Sequence, residues 1–418
     1  MYCIEENKAY DQITSNDAAA IPIDNGNKKD INVDVTDAGY GAGISEAVCQ
    51  DQCMNAFMLK DGKRTLLPMS FASLTMIDSI ARLMLKSDEP FFVVSEKHGN
   101  KRVTSETKHA ACFLSALRQI PHLYSSVLTF PPHIEKLFEV FRTHPIRYCT
   151  CMNPRTPAFD GRLEAEVAED FRRTYRVEAD WDGTRKKLDD WDRRPETNLA
   201  RLKQYLNALF NAFARVVTIR VDFYYHAASI DPAMEDEVRM QAERAHAEDV
   251  AAYLNGNDAS MPGDGLARVG IEEVMRDRDR LFENMRGKPS LFEHLVGHVW
   301  RIEYSLVGGH HLHCTFFFDG SKVQQHEWLA QQICDYWHDA ITKGRGYAHN
   351  CNRNHYPDYV LGPTDYYDHD KRARLLKCLA YLAKDDQLVY AKPTRKCKLF
   401  GTGRLPKPKG AGRKRGKE

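Results

Sequence analysis

The sequence lacks several features that would assign a protein class at once. Its 418 residues contain no uncharged apolar run of bilayer length, so we predict no transmembrane helix and no membrane partner. The N-terminus, MYCIEENKAYDQ, has no apolar signal core, and the chain has no P-loop phosphate-binding motif. These absences argue against an exported protein, a membrane protein and an ATP-driven helicase, and they favour a cytoplasmic location.

The 11 cysteines do not form a recognisable disulfide framework, because their number is odd and their spacing is irregular. Reduced structural thiols are the simplest interpretation. Two close pairs, Cys49 with Cys53 and Cys149 with Cys151, would make a zinc site only if the fold brought the two pairs together.

The net charge of +1 conceals an uneven distribution of charged residues along the chain. Residues 4–51 are rich in Asp and Glu, whereas residues 395–418 are strongly basic. The first 45 residues also lack hydrophobic periodicity, which predicts a disordered acidic arm. A basic tail is typical of non-specific phosphate binding, although solubilising disorder explains the same composition.

Hydrophobic periodicity predicts an α+β protein in which helices cover an antiparallel sheet. The segment VVTIRVDFYY alternates apolar and polar residues as a half-buried strand does. Two charged helices, a β-hairpin, a helix, a loop at 344–359 and a last helix are predicted to follow it. The predicted division is a disordered acidic arm over 1–45, a mixed, mostly helical domain of unknown role over 46–150, a linker over 151–196, a second α+β domain over 197–404 and a basic tail over 405–418.

The hairpin contains the most specific arrangement of polar side chains in the sequence. Its predicted parts are the strands 298–306 and 310–318 and the loop 307–309. Glycine in the loop allows positive φ, and the resulting register puts Glu303 opposite His313 and Leu306 opposite His310. Because side chains alternate between the two faces of a strand, Glu303, His311 and His313 share one face.

Two imidazoles and one carboxylate on neighbouring strands can hold a divalent metal ion. Cross-strand neighbours lie about 5 Å apart at Cβ, which is close enough to share an ion. Glu303, His311 and His313 leave coordination positions open, as catalytic metal sites do. We expect Mg²⁺ or Mn²⁺, because the ligand set suits an ion that polarises phosphate. A surface His-x-His pair without metal is the simpler alternative, and His310 falls on the opposite, apolar face.

The last predicted helix carries a tyrosine among cations. On a helical wheel, Tyr381 lies in one stripe with Arg374, Lys377 and Lys384, opposite an apolar stripe of leucines. Positive neighbours bind phosphate and favour the ionised form of a tyrosine, which needs such help to act as a nucleophile. A solvated charged face is the alternative explanation. Rival tyrosines nearby are Tyr366, Tyr367 and Tyr390.

The loop before the last helix is a candidate for contacts with single-stranded DNA. It combines the cations Lys343 and Arg345 with the aromatic Tyr347 and two glycines. Cations can contact the phosphate backbone while an aromatic ring stacks on bases. A polar surface loop without a ligand would have the same composition.

These blocks resemble a known superfamily. The segment HHLHCTFFFDG is similar to the metal motif of the HUH endonucleases, with His311 and His313 as its histidines. Glu303 falls where viral Rep proteins of that superfamily have a third ligand. The segment from Tyr381 to Lys384 resembles their tyrosine motif. The strand VVTIRVDFYY is similar to the first Rep strand motif but lacks its usual Leu-Thr signature.

A closer resemblance is to the inovirus Gp2 family, also called the YagK/YfjJ C-terminal domain. The segments GHVWRIEY, GHHLHCTFFFDGSKV, ITKGRGYAHNCN and LAYLAKDDQ carry it, over about 200–405. Proteins of this family are phage and prophage proteins described as replication proteins, and the family includes prophage members whose activity can be lost. The resemblance implies an HUH/Rep-like, ferredoxin-like antiparallel sheet and nicking of single-stranded DNA. It implies nothing about residues 1–195.

Together these observations predict a rolling-circle replication initiator. A metal-assisted tyrosine, Tyr381, would nick single-stranded DNA at an origin, form a 5′-phosphotyrosine bond and release a 3′-hydroxyl group. The expected partners are single-stranded DNA or an origin hairpin, and a host helicase or polymerase that uses the new 3′ end. Two alternatives stay open: a DNA-binding regulator that does not cut, and an HUH transposase or relaxase with the same chemistry.

Overall fold

A computed structural model describes most of the chain. The described residues are 56–61, 63–66, 72–126, 128–149, 153–257, 268–305, 307–353, 359–383, 390–391 and 398–406. The predicted acidic arm, Lys384 and the tail from residue 407 lie outside them, as do Cys49, Cys53 and Cys151. Cys149, the remaining member of the proposed zinc cluster, is a buried free thiol. No helix in the described ranges is long and apolar enough to cross a membrane.

The N-terminal part of the protein is mixed and mostly helical, as predicted. Its helices pack around one apolar core of buried side chains. The strands are β1 (Ala56–Leu59), β2 (Arg64–Leu66), β3 (Phe92–Lys97), β4 (Asn100–Glu106) and β5 (Leu128–Thr129). The helices are α1 (Ala72–Lys86), α2 (Ala110–Leu123), α3 (Pro132–Thr143), α4 (Glu164–Trp181) and α5 (Thr184–Ala212).

The segment predicted as a linker, 151–196, differs in the structure. It contains all of α4 and the first part of α5, a helix of 29 residues. The apolar stripe of α4 is narrow, with Val167, Phe171 and Tyr175 buried at four-residue spacing among many charged residues. A search for long apolar runs overlooks such a stripe, although the spacing itself indicates a buried helical face.

The C-terminal part is built on an antiparallel sheet of six strands, which confirms the predicted α+β class. The sheet order is β10–β6–β9–β8–β13, and β11 pairs with the same edge of β6 as β10 does. The strands are β6 (Arg215–Tyr225), β8 (Leu295–Ser305), β9 (Gly309–Asp319), β10 (Gly346–Asn350), β11 (Gly362–Asp365) and β13 (Phe400–Thr402). The short strands β7 (Ser229–Ile230) and β12 (Tyr390–Ala391) pair instead with β1 and β5 of the N-terminal part.

Helices cover the sheet unequally on its two faces. One face is apolar along its whole length and packs against α7 and α9. The other face is apolar only at one end, where α5 and α10 pack on Val216, Val299 and Phe317. The C-terminal helices are α6 (Glu235–Leu254), α7 (Ile271–Asn284), α8 (Pro289–Phe292), α9 (His326–Tyr336) and α10 (His369–Ala383).

On the face that α5 and α10 cover at one end, the other end is polar, and a site for charged ligands can form there. Along β6 the side chains on this face change from Val216 and Thr218 to Arg220, Asp222 and Tyr224. Because β6 is buried along almost its whole length, these charged groups lie within the protein rather than in bulk water. Buried charges require partners, which the neighbouring strands β8 and β9 supply.

The register of the hairpin β8–β9 corrects the prediction by two residues. Glu303 lies opposite His311, rather than His313, and Ser305 pairs with Gly309. Gly309 has φ of +71°, and the backbone of Val269 approaches so closely that a Cβ atom there would lie 2.5 Å from the Val269 nitrogen. The close approach of Val269 therefore requires a glycine at position 309, which is the first paired residue of β9 and not a loop residue. A shift of two residues leaves every side chain on its predicted face.

The segment 344–359, predicted as a loop, contains the edge strand β10. Its residues pair antiparallel with β6, and Tyr347 lies opposite Tyr224. A five-residue polar strand gives no clear alternation signal, so its strand character depends on the neighbour that it pairs with. The helix predicted before this segment is present as α9, and Trp337–Ile341 continues it as one π-helical turn.

Candidate metal centre

The hairpin brings the three predicted ligands together on the polar half of the sheet face. Glu303 Oε2 lies 3.1 Å from His313 Nε2 and 3.9 Å from His311 Nε2. One ligand atom from each of the three residues lies within 4.8 Å of the others. The prediction that Glu303, His311 and His313 form one cluster is therefore confirmed.

The chemistry of this cluster fits a divalent cation. Ligand atoms of a single ion are about 3 to 4 Å apart when each lies about 2.1 Å from the metal. Nε2 of His313 is buried and makes no hydrogen bond, although it lies beside Glu303. A buried nitrogen without a hydrogen bond is costly unless it binds another group. Glu303, His311 and His313 are the residues that would hold the ion.

A second carboxylate, which the sequence analysis did not single out, orients His313. Asp222 on β6 lies 2.7 Å from Nδ1 of His313, opposite it in the β6–β9 ladder. Arg220 in turn lies 3.1 Å from the Asp222 carboxylate. A carboxylate on the far nitrogen of a histidine fixes its tautomer and turns Nε2 toward the ion. Asp222 belongs to the polar phase of VVTIRVDFYY, which was the only signal available in the sequence.

The carboxylates also set the charge of His313. Burial lowers the pKa of His313, but Asp222 and Glu303 outweigh this effect and raise that pKa to about 9. Burial opposes ionisation of Glu303, yet His313, Arg301 and His311 hold the pKa of Glu303 well below its usual value. Without a metal ion, a proton on His313 thus balances part of the negative charge. A bound cation can take over this role.

Helix α10 places Tyr381 directly on the cluster. Its apolar face, with Leu375, Leu379 and Leu382 buried, matches the predicted one and packs beside α5. The Tyr381 hydroxyl donates a hydrogen bond of 2.9 Å to Oε2 of Glu303. Since Tyr381 occupies the last turn of α10, its position depends on how the end of the helix is held.

Arg301 holds that end of the helix. Its Nη1 donates to the carbonyl oxygen of Leu382 over 3.2 Å, and its Nε lies 3.3 Å from Oε1 of Glu303. A cation at a helix C-terminus is stabilising because the last carbonyls carry partial negative charge. Arg301 thus connects the tyrosine helix to the carboxylate that the tyrosine contacts. Arg301 lies on the same face of β8 as Glu303, because the two residues are two apart in the strand.

Two cations of the predicted stripe on α10, Arg374 and Lys377, lie among the described residues. Lys377 is exposed, and Arg374 is exposed and forms an ion pair of 3.1 Å with Asp370 one turn earlier. Tyr381, in contrast, is half-buried against the hairpin. The hydroxyl of Tyr381 thus hydrogen-bonds the carboxylate of Glu303, a partner that the helical wheel could not indicate.

The three residues proposed to bind DNA before α10 have different surroundings. Lys343 is exposed in a turn, with φ of +53°. Arg345 forms ion pairs with Glu273 and with Asp277, the latter at 2.9 Å, so its charge is already balanced. Tyr347 is half-buried, and its ring stacks on Tyr224 of β6.

The rival tyrosines lie elsewhere. Tyr366 and Tyr367 precede α10 and are separated from its C-terminal end by about 20 Å at 1.5 Å per residue. Tyr367 is 62% exposed and donates a hydrogen bond to Asp365. Tyr390 lies in β12, whose partner is β5 of the N-terminal part. Tyr381, in contrast, donates its hydrogen bond to the candidate ligand Glu303.

Comparison with known proteins identifies one family. No curated protein and no solved structure matches this chain. The model of the YagK/YfjJ C-terminal domain matches residues 182–403, which is just over half of the 418 residues. The matched region begins shortly before α5 and includes the whole sheet, the three candidate ligands and Tyr381. The chain therefore belongs to the YagK/YfjJ C-terminal domain family.

Proposed function

We propose that this protein is a DNA-nicking replication initiator of the HUH type, with Tyr381 as its nucleophile. The observation that carries the proposal is the hydrogen bond of 2.9 Å between Tyr381 and Glu303, inside the cluster with His311 and His313. A phenol beside two imidazoles and a carboxylate is the combination that metal-assisted phosphoryl transfer to tyrosine needs.

Each residue has a defined part in the proposed reaction. Glu303, His311 and His313 would hold Mg²⁺ or Mn²⁺, which when bound neutralises charge on the scissile phosphate and polarises it. The phenolic oxygen of Tyr381 attacks the phosphorus and the bond to the 3′ oxygen breaks. The proton lost by the phenol is balanced by the proton gained at the 3′ oxygen. The products are a 5′-phosphotyrosine ester and a free 3′-hydroxyl group.

The fold supports an HUH-like arrangement. The His-x-His strand β9 is central in an antiparallel sheet, the Glu303 strand lies beside it, and the tyrosine helix lies across the same face. The exposed Lys377 lies one turn before Tyr381 and is available to contact a DNA phosphate.

The proposed partners follow from the products. Single-stranded DNA or an origin hairpin would be the substrate, because the reaction needs an accessible phosphate. A host polymerase or helicase would use the 3′-hydroxyl group and the opened strand. These steps take place where chromosomal or phage DNA is copied, which is the cytoplasm of a bacterial cell.

The proposal is tested by trapping the covalent product. The full-length protein is incubated with a randomised pool of single-stranded oligonucleotides and Mn²⁺, and adducts are separated under denaturing conditions. We expect an adduct that disappears with a chelator and in Tyr381→Phe, whereas the matched control Tyr367→Phe keeps it. Tight DNA binding without any adduct would favour a non-cutting regulator. Adduct formation without support of origin replication in a host would favour a transposase or relaxase.

A further inference from the structure

A row of aromatic rings extends away from the metal centre across three strands. It begins at His311 on β9, continues through Tyr224 on β6 and Tyr347 on β10, and ends at His226, which follows β6. The ring centroids of His311 and Tyr224 are 5.3 Å apart, and those of Tyr224 and Tyr347 are 5.4 Å apart, with planes inclined by 17° and 20°. Tyr347 and His226 follow at 5.0 Å.

This row lies on the polar face of the sheet and is accessible. Tyr224, Tyr347 and His311 are half-buried, and His226 at the outer end is exposed. The apolar core uses the opposite face of the same strands, where Phe223 is fully buried. Aromatic side chains that serve only as core would be expected on that opposite face. The row thus presents ring surface and ring edges to a ligand beside the candidate metal.

We propose that this ring row binds the nucleobases adjoining the scissile phosphate of single-stranded DNA. The inference rests on the proposed function and adds the path of the substrate strand. Every base has a π-face, so stacking on aromatic rings holds a strand without selecting its sequence. Because the row starts at His311, a base stacked along it keeps its own phosphate close to the ligands. Lys343 is exposed in the turn before β10, four residues ahead of Tyr347, and adds positive charge that can contact the DNA backbone.

Arg345 is not needed for this role. Its pairing with Glu273 and Asp277 neutralises it, and its backbone oxygen instead accepts a hydrogen bond from the amide of His226. These contacts hold the outer end of the row in place. The hydroxyl of Ser229 also donates to the Tyr347 hydroxyl over 3.2 Å, which fixes the orientation of that ring. The row is thus a preorganised surface that loses little entropy when a base stacks on it.

The test separates bases from phosphates. Binding of the full-length protein to a fluorescein-labelled oligothymidylate is compared with binding to an abasic oligonucleotide of equal length, with a chelator present to prevent cleavage. We expect Tyr347→Leu to weaken binding of the oligothymidylate by about 5- to 100-fold, the range for loss of one stacked base. It should leave binding of the abasic strand unchanged. Tyr347→Phe keeps the ring and loses only the hydrogen bond from Ser229, so it should retain most of both affinities, and Tyr366→Leu is the control for loss of a tyrosine elsewhere.

The outcomes distinguish this proposal from the proposed function. If the wild-type protein forms the covalent adduct yet binds both probes equally well, the ring row does not bind bases and only this inference fails. If Tyr347→Leu binds the oligothymidylate normally but binds Mn²⁺ more weakly, the row merely supports His311. If the wild-type protein binds neither probe, both proposals fail. Fluorescence of 2-aminopurine placed beside the cleavage position gives a readout on wild-type protein, and absence of quenching would contradict the stacking.

Discussion

Replacing Asp222 by Asn tests whether a carboxylate behind His313 prepares the site for a metal ion. The Asp222 carboxylate is buried, lies 2.7 Å from Nδ1 of His313 and is held in its ionised form by Arg220 and His313. The substitution preserves size and one hydrogen-bond acceptor, removes the charge and replaces the second acceptor oxygen by an NH2 donor. His313 then loses the partner that makes Nε2 a stronger ligand.

The size of the effect follows from comparable sites. Loss of a carboxylate behind a ligating histidine costs about 10- to 100-fold in metal affinity, or about 1.4 to 2.8 kcal/mol of binding free energy. Folding is affected as well, because Arg220 is buried and loses its counter-charge. Breaking a buried ion pair by removing one partner costs about 3 kcal/mol of unfolding free energy. The two effects have to be measured separately.

The assay is calorimetric titration of Mn²⁺ with denaturant unfolding of the same samples. The double variant Arg220→Met/Asp222→Asn removes both charges, so it should recover most of the stability and none of the Mn²⁺ affinity. Asp277→Asn serves as the control, since it neutralises another buried carboxylate that pairs with an arginine, Arg345, in the same part of the protein. Wild-type affinity in a folded Asp222→Asn variant would refute the role of Asp222. Recovery of affinity in the double variant would show that the loss came from misfolding.

Three further predictions concern DNA binding by the basic tail, the pH dependence of Mn²⁺ affinity and the stability of the N-terminal part. Removing residues 407–418, which include six basic residues, should weaken DNA binding and flatten its dependence on salt, because fewer counterions are released. If the slope of log affinity against log salt concentration is unchanged, the tail does not touch DNA. Because the pKa of His313 is raised to about 9, a proton must leave His313 before Mn²⁺ binds, so the Mn²⁺ affinity should rise with pH up to about 9 and then level off. Calorimetry in buffers of different ionisation enthalpy should detect the released proton, and a pH-independent Mn²⁺ affinity would contradict this prediction. In the N-terminal part, Asp78 is buried and accepts hydrogen bonds from His133 and Arg82. Asp78→Asn should therefore lower the free energy of unfolding by about 3 kcal/mol without changing the Mn²⁺ affinity. A change in the free energy of unfolding below about 1 kcal/mol would show that Asp78, His133 and Arg82 are not energetically coupled.

The three candidate ligands could be predicted because the required information is local. Side chains alternate along a strand with a period of two, so Glu303, His311 and His313 share a face in any register shifted by an even number of residues. The exact register could not be predicted. It depends on Val269, which lies forty residues before Gly309 in the chain and pairs with it only in the folded protein.

The partners of the site depend on the order of strands in the sheet. Asp222 and Tyr224 lie about 90 residues before β9, and nothing in the alternation of β6 indicates which strand becomes its neighbour. The apolar stripe of α10 likewise predicted which face is buried but not where the helix docks. The contact between Tyr381 and Glu303 is therefore a property of the tertiary structure. Charge patterns were least informative for Arg345, whose acidic partners lie on another helix, whereas Arg374 pairs with Asp370 four residues earlier in its own helix.

Mapping the amino acid that carries DNA tests the central claim most directly. Wild-type protein is allowed to react with single-stranded DNA and Mn²⁺, the adduct is digested with protease and nuclease, and the modified peptide is sequenced by mass spectrometry. The account predicts that the nucleotide is attached to Tyr381 in the segment CLAYLA. Attachment to Tyr366, Tyr367 or Tyr390, or no attachment to any tyrosine under conditions of tight DNA binding, would contradict it.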